Sequence, residues 1–251
     1  MRRLNREVVG EDQSAGAAPR RSAHRIDSKI LMLFLSLSAA TLFLVWLGSE
    51  VLEGDKFALD RTILRGLRTL ADPAVPIGPH WVLPMMIDVT AQGSVTILTL
   101  VTVLSVGFLI TLRKSATALF VALAVISGAV LSAVLKQLFF RARPEIVPHL
   151  VQVTSASFPS GHAMNSAFVY LTLAALLARA QRGRGVRIYL LAIAITLTLL
   201  VGISRVYLGV HWPTDVLAGW SAGAIWAVFC SLIERALIRQ RTLEGQGPPS
   251  S

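Results

Sequence analysis

The stretch "ATALFVALAVISGAVLSAVLKQLFFRARP", residues 116–144, decides the fold. No charged residue lies between Lys114 and Lys136. About 20 apolar residues suffice to cross a bilayer as a helix. The stretch therefore predicts a membrane-spanning helix over 116–138 that runs into a cationic cluster. Pro144 disfavours helix at Arg143, so the helix is expected to end about there. Lys136 and Arg143 stand seven apart, which on a helix turns both side chains the same way.

Working outward, five further apolar blocks reach spanning length, at 30–49, 94–112, 161–180, 187–205 and 215–236. The chain is 54% hydrophobic and 15% charged, against about a quarter charged in soluble domains. The predicted fold is all-α, a membrane bundle of six transmembrane helices in one domain over 29–236. A basic, disordered tail is expected over 1–28, and a second tail over 237–251. The first block is too long for a signal-peptide core. Cys230 is the single cysteine, so no disulfide forms within the chain. In the last block Gly219, Ser221 and Gly223 are small enough to let a neighbouring helix approach closely.

The net charge is +10. Its carriers sit in short segments between apolar blocks, where membrane topology accounts for them and nucleic-acid binding is not needed. Taking alternate sides, 16 of the 24 lysines and arginines fall with the two termini. The positive-inside rule then places both termini in the cytoplasm, and 50–93, 139–160 and 206–214 on the outer side of the plasma (inner) membrane.

Residues 56–70, "KFALDRTILRGLRTL", set Leu59, Ile63, Leu67 and Leu70 on one helical side and Arg61, Arg65 and Arg68 on another. Two readings stand: a helix lying in the membrane interface, or a surface helix packed on the bundle. The proline-rich residues 71–84 read as a loop.

Three clusters fall on the expected outer side. The first holds Lys136 and Arg143. Basic residues at a helix end also snorkel to headgroups, but the positive-inside rule disfavours them on this side. The second is "PSGH", Pro159 to His162. Pro159 suits a first helical turn, Ser160 adds a hydroxyl, Gly161 opens the backbone, and the helix start can receive an anion. His162 can exchange a proton near neutral pH. The third is "SRVYLGVHWPTD", Ser204 to Asp215. Pro213 fits the first position of the last helix, so Asp215 in its first turn can reach back toward His211, as in a capping box. A carboxylate on the imidazole Nδ1–H leaves Nε2 free as a nucleophile. Together Lys136, Arg143 and Arg205 supply cations for phosphate, and two histidines supply a nucleophile and an acid.

The three clusters, read as K-x6-R-P, P-S-G-H and S-R-x5-H-x3-D, resemble the signature of the type 2 phosphatidic acid phosphatase superfamily. The resemblance covers about residues 90–236. It implies a metal-independent membrane phosphatase without cofactors. His211 would become a phosphohistidine, Asp215 would orient it, and His162 would protonate the leaving oxygen and then activate water. Lys136, Arg143, Ser160, Gly161 and Arg205 would hold the phosphate oxygens. The implied substrate is a lipid monophosphate or diphosphate, undecaprenyl diphosphate being one alternative, met among membrane lipids at the outer face. The soluble vanadium haloperoxidases of the same superfamily do not fit six spans. A transporter, the competing class, would carry charges near mid-span, and here the charges gather at the ends.

Overall fold

A computed structural model describes residues 28–53 and 58–244. Eight helices follow in order among them: α1 Ser28–Leu52, α2 Ala58–Gly66, α3 Val82–Ala91, α4 Val95–Thr111, α5 Ser115–Leu138, α6 Gly161–Ala180, α7 Arg184–Tyr207 and α8 Pro213–Glu244. No strand occurs among the described residues; one isolated bridge pairs Arg68 with Pro76. Five helices are long and apolar enough to span a membrane, and the α3–α4 pair passes as a sixth, bent by 49°. The chain is thus a multi-pass, all-α membrane protein.

α4 fills the block predicted at 94–112, and α3 precedes it across a sharp bend that the sequence reading did not include. α3 begins at Val82, inside the stretch read as a loop. Pro84 falls in its first turn, where the missing N–H leaves no bond unmade. The break lies at Gln92 and Gly93. Tyr170 of α6 donates its hydroxyl to the Gln92 carbonyl at 2.7 Å. A Cβ at residue 93 would stand 2.4 Å from Val201 and 3.2 Å from His162, so glycine is what lets the break seat against α6 and α7.

α6 is the centre of the bundle. It packs mainly on α7 and α8 and also touches α4 and α5. Lipid tails are as apolar as leucine, so close packing rather than water exclusion holds such helices together. The α6–α8 seam is made of small residues. A Cβ at Gly219 would stand 2.7 Å from the Ser160 carbonyl oxygen, and one at Gly223 would stand 2.5 Å from that of Met164 and 2.6 Å from Ala167. Trp220 and Trp226 of α8 donate their indole N–H groups to carbonyls of Thr198 in α7 and Ala124 in α5, each at 3.0 Å. At the far end Arg179 of α6 pairs with Glu234 of α8.

α2 combines the two readings of residues 56–70. Its inner face buries Asp60 and Leu64 and packs on α8. Leu59 and Ile63 point outward, as does Leu70 beyond the helix. Leu67, the fourth residue of the predicted apolar side, packs inward, and Arg68 of the predicted basic side is buried.

Most of the tail expected over 1–28 lies outside the described residues, as do residues 245–251 of the second tail. α8 runs as helix past its predicted end at 236 to Glu244.

Candidate active site

The end of α5, the starts of α4, α6 and α8 and the end of α7 meet at one end of the bundle. Between them lies a cavity of about 500 Å³, lined by Lys136, Arg143, Gly161, His162, Arg205 and His211, with Thr90, Ser155 and Asn165. Six of the eight predicted site residues line it. Asp215 and Ser160 are fully buried behind its wall.

The first cluster arrives by a different route from the one predicted. α5 ends at Leu138, and Phe139 turns the chain into extended backbone. Phe139 is held there edge-on to Phe158, ring centroids 5.0 Å apart. Lys136 and Arg143 therefore do not share a helical face; they converge on Ser155. The Lys136 ammonium donates to Ser155 Oγ at 3.2 Å and to the Ala156 carbonyl at 3.0 Å. Arg143 donates from Nε to the Ser155 carbonyl at 2.8 Å and from Nη1 to the Val210 carbonyl at 2.5 Å.

The second cluster starts α6 at Gly161, with Ser160 as N-cap. Pro159 precedes the cap and lies outside the first turn it was expected to occupy. The missing side chain at Gly161 makes room for the Lys136 stem, which a Cβ would meet at 3.0 Å. Ser160 donates its backbone N–H to the Asp215 carbonyl at 3.0 Å. Its buried hydroxyl has no partner among the described residues.

The third cluster follows the predicted pattern. α8 begins at Pro213 with Asp215 in its first turn. The Asp215 carboxylate reaches back to the Trp212 N–H at 3.0 Å, which is the reach of a capping box. Its Oδ2 also accepts from the Ser157 hydroxyl and faces His211 Nδ1 at 3.4 Å. On the other side of the ring, His211 Nε2 lies 3.3 Å from Arg143 Nη1. A guanidinium can only donate, so Nε2 accepts, and the proton of the neutral imidazole sits on Nδ1 toward Asp215. Burial, opposed by the bond to Asp215, lowers the His211 pKa to about 4. At neutral pH the ring is uncharged, with the Nε2 lone pair directed at Arg143 Nη1 on the cavity wall.

Arg205 donates to Thr90 Oγ1 at 3.0 Å, leaving its buried Nε without a partner among the described residues. Three cations thus stand around one cavity. Among the described residues no His, Cys, Asp and Glu cluster could hold a metal ion.

Sequence reasoning missed a further set. Arg141 donates to Asp215 Oδ1 at 2.6 Å and to Asp60 Oδ2 at 3.1 Å. Asp60 also accepts from Thr214, N–H at 3.0 Å and hydroxyl at 2.6 Å. Arg141 stood inside the first cluster and was passed over. Asp60 gave one signal, a lone carboxylate four residues before a leucine on a face otherwise read by its arginines.

Comparison with known proteins finds a family and several relatives. The model of the PAP2 superfamily matches residues 117–239. Phosphatidylglycerophosphatase B of Bacillus subtilis is 38% identical over 162 residues, covering 62% of this chain and 77% of that one. An undecaprenyl-diphosphatase of Sulfolobus acidocaldarius is 40% identical over a shorter 79 residues, 32% of this chain and 34% of its own. The crystal structure of a transmembrane PAP2-type phosphatidylglycerolphosphate phosphatase from Bacillus subtilis superposes with a TM-score of 0.70 at 30% identity, covering 80% of this chain and 96% of that one.

Proposed function

The chain is a membrane phosphatase of the PAP2 superfamily, and on that premise we propose that it hydrolyses the phosphate monoester or diphosphate of a membrane lipid through a phosphohistidine on His211. The observation that carries the reading is the buried His211, whose Nε2 lies at the wall of a cavity ringed by Lys136, Arg143 and Arg205, with Arg143 Nη1 3.3 Å in front of it. The phosphate oxygens lie against these cations and the N–H groups at the start of α6, and the phosphoryl group takes the place of Arg143 Nη1 in front of Nε2. Nε2 forms a bond to phosphorus as the bond to the leaving oxygen breaks. His162 gives that oxygen its proton. Asp215 stabilises the positive charge the imidazole acquires, because it already accepts from Nδ1. His162 then takes a proton from water, whose oxygen attacks phosphorus and breaks the P–N bond. Ser160, with its unpartnered hydroxyl, is a further donor if it turns toward the phosphate. The uncatalysed reaction is among the slowest known, and donors fixed around the developing charge are the expected remedy.

A lipid is the favoured substrate because a second cavity of about 550 Å³ leads away from the site along α4 and α5. Thr99, Val103, Ile110 and Val125 line it, and Ala129 lines both cavities. An acyl or prenyl chain lying there leaves its headgroup among the cations. A polyprenyl diphosphate is the alternative, since the groove is apolar along its length and a relative is named for that activity. The active site faces the outer leaflet, with both termini cytoplasmic, in the reading that best distributes the basic residues.

The test compares kcat/KM for a long-chain lipid phosphate in mixed micelles with that for glucose 6-phosphate. The lipid should be turned over far more efficiently, and Val103→Trp should lower its kcat/KM while sparing the soluble ester. Equal turnover of both substrates would refute a lipid-specific site.

A further inference from the structure

The catalytic carboxylate in this reading, Asp215, is wholly buried, and both its oxygens are committed. Oδ2 takes Ser157, the Trp212 N–H and His211, while Oδ1 takes Arg141. The direction in which Asp215 points is therefore set partly by Arg141, and Arg141 is itself held by something else. One arm of its guanidinium reaches Asp215 and Thr214 Oγ1, at 2.6 and 2.7 Å. The other reaches Asp60 at 3.1 Å, and the plane lies over the Trp212 ring, 5.4 Å from its centroid.

Asp60 makes a second connection to the same place. Thr214 is the second residue of α8, directly before Asp215. Helices leave their first N–H groups without partners, and a carboxylate is a favoured acceptor for them. Here the acceptor for the Thr214 N–H comes from another helix: Asp60 Oδ1, at 3.0 Å. Asp60 is 1% exposed, and Leu64 one turn later seats the same face of α2 against Ala163, Val206 and Val216. Arginine forks favour bidentate grips on one carboxylate. By occupying one arm, Asp60 limits Arg141 to a single oxygen of Asp215 and leaves the other to face Nδ1 of His211.

We infer that Asp60 is a positioning residue for the Asp215–His211 pair, acting through Arg141 and Thr214 from a helix that lies outside all three signature clusters. The inference rests on the phosphohistidine reading above. Asp60→Asn keeps the size and one acceptor but removes the charge that divides Arg141. Misplacing a reacting group by about 1 Å costs roughly a hundredfold, and the displacement here is a fraction of that. The expected fall in kcat is therefore roughly tenfold, with KM within about twofold of wild type.

The test measures kcat, KM and the rate of phosphohistidine formation, by quenched-flow labelling with a ³²P-lipid phosphate, for wild type, Asp60→Asn, Asp215→Asn and the double variant. Phosphohistidine formation should slow by the same factor as kcat. In the Asp215→Asn background the Asp60 substitution should cost nothing further, because the group it positions is already lost. An unchanged kcat in Asp60→Asn, a loss confined to KM, or losses that multiply in the double variant would each overturn the inference. If Asp60→Asn does not fold, Thr214→Val keeps the N–H bond to Asp60 but removes the hydroxyl that bridges Asp60 and Arg141, and a kcat equal to wild type in that variant overturns it as well. His211→Ala, measured alongside, separates the two ideas. A label that persists there refutes the phosphohistidine reading, whichever way Asp60 behaves.

Discussion

Gly219→Ala puts the spacing of His162 and His211, the proposed acid and nucleophile, to a direct test. The added Cβ would stand 2.7 Å from the Ser160 carbonyl oxygen and 3.1 Å from both the Met164 nitrogen and the Ala163 Cβ, where ordinary contact begins at 3.4 Å. The closest neighbour is backbone at the mouth of α6 and cannot swing aside. The helices must part there by about 0.7 Å, the difference between those two distances. Overpacking of this kind costs about 1–3 kcal/mol, and the melting midpoint falls by about 2–4 °C for each kcal/mol in a chain of this size. The kinetic effect is larger in proportion. Ser160 precedes His162 by two residues, and Gly219 follows Asp215 by four, so the parting falls between the two halves of the site. A full 1 Å costs roughly a hundredfold, so kcat should drop by roughly ten- to thirtyfold. Phosphate release from a lipid phosphate in mixed micelles, with a thermal melt in the same detergent, reads both effects. Gly185→Ala, where nothing lies within 4 Å, is the control and should retain wild-type kcat. Wild-type kcat and melting in Gly219→Ala would refute the claim that the seam sets the geometry.

Three further outcomes are expected. His162→Ala should still form the phosphoenzyme, with its rate falling much more for an alkoxide leaving group than for phosphate, as shown by quenched flow on a monoester and a diphosphate; equal losses would remove its role as acid. His211 has a folded pKa of about 4, below the ordinary value of 6.5, so the folded state binds fewer protons between those values, and the stability His211 contributes is present above pH 6.5 and lost as pH falls toward 4. Melting of wild type should therefore drop more steeply from pH 7 to pH 5 than that of His211→Asn, and parallel curves would contradict it. Reporter fusions after Arg113 and after Arg143 should report opposite sides of the membrane; the same side for both would end the proposed orientation.

The spans were legible because a charge-free run of twenty residues has few other fates in a protein. Gly161–Ala180 begins and ends where its apolar block does, and Pro213 and Asp215 stand at the start of α8 as their types predict. Six of the eight predicted site residues share one cavity, because a signature tied to helix ends carries its own geometry. The end of α5 was misread because helical periodicity was carried past Leu138, where the packing of Phe139 on Phe158 overrides it. The α3–α4 break escaped because Gly93 is explained only by neighbours far away in sequence, Val201 and His162. Asp60 was invisible for the same reason: its partners are 81 and 154 residues distant, and no local pattern records them.

The seam between α6 and α8 has a consequence for how such enzymes diversify. Two helices whose backbones already touch through Gly219 and Gly223 have no slack, so that wall tolerates almost no change of side chain. The wall formed by α4 and α5 is bordered by a groove of Thr, Val, Ile and Ala, where a larger or smaller residue alters a volume without moving a histidine. In the lipid reading proposed above, selection can therefore retune which chain is accepted on one side of the molecule while the chemistry on the other stays fixed. A single catalytic apparatus becomes a chassis that can be refitted for lipids of different length and shape.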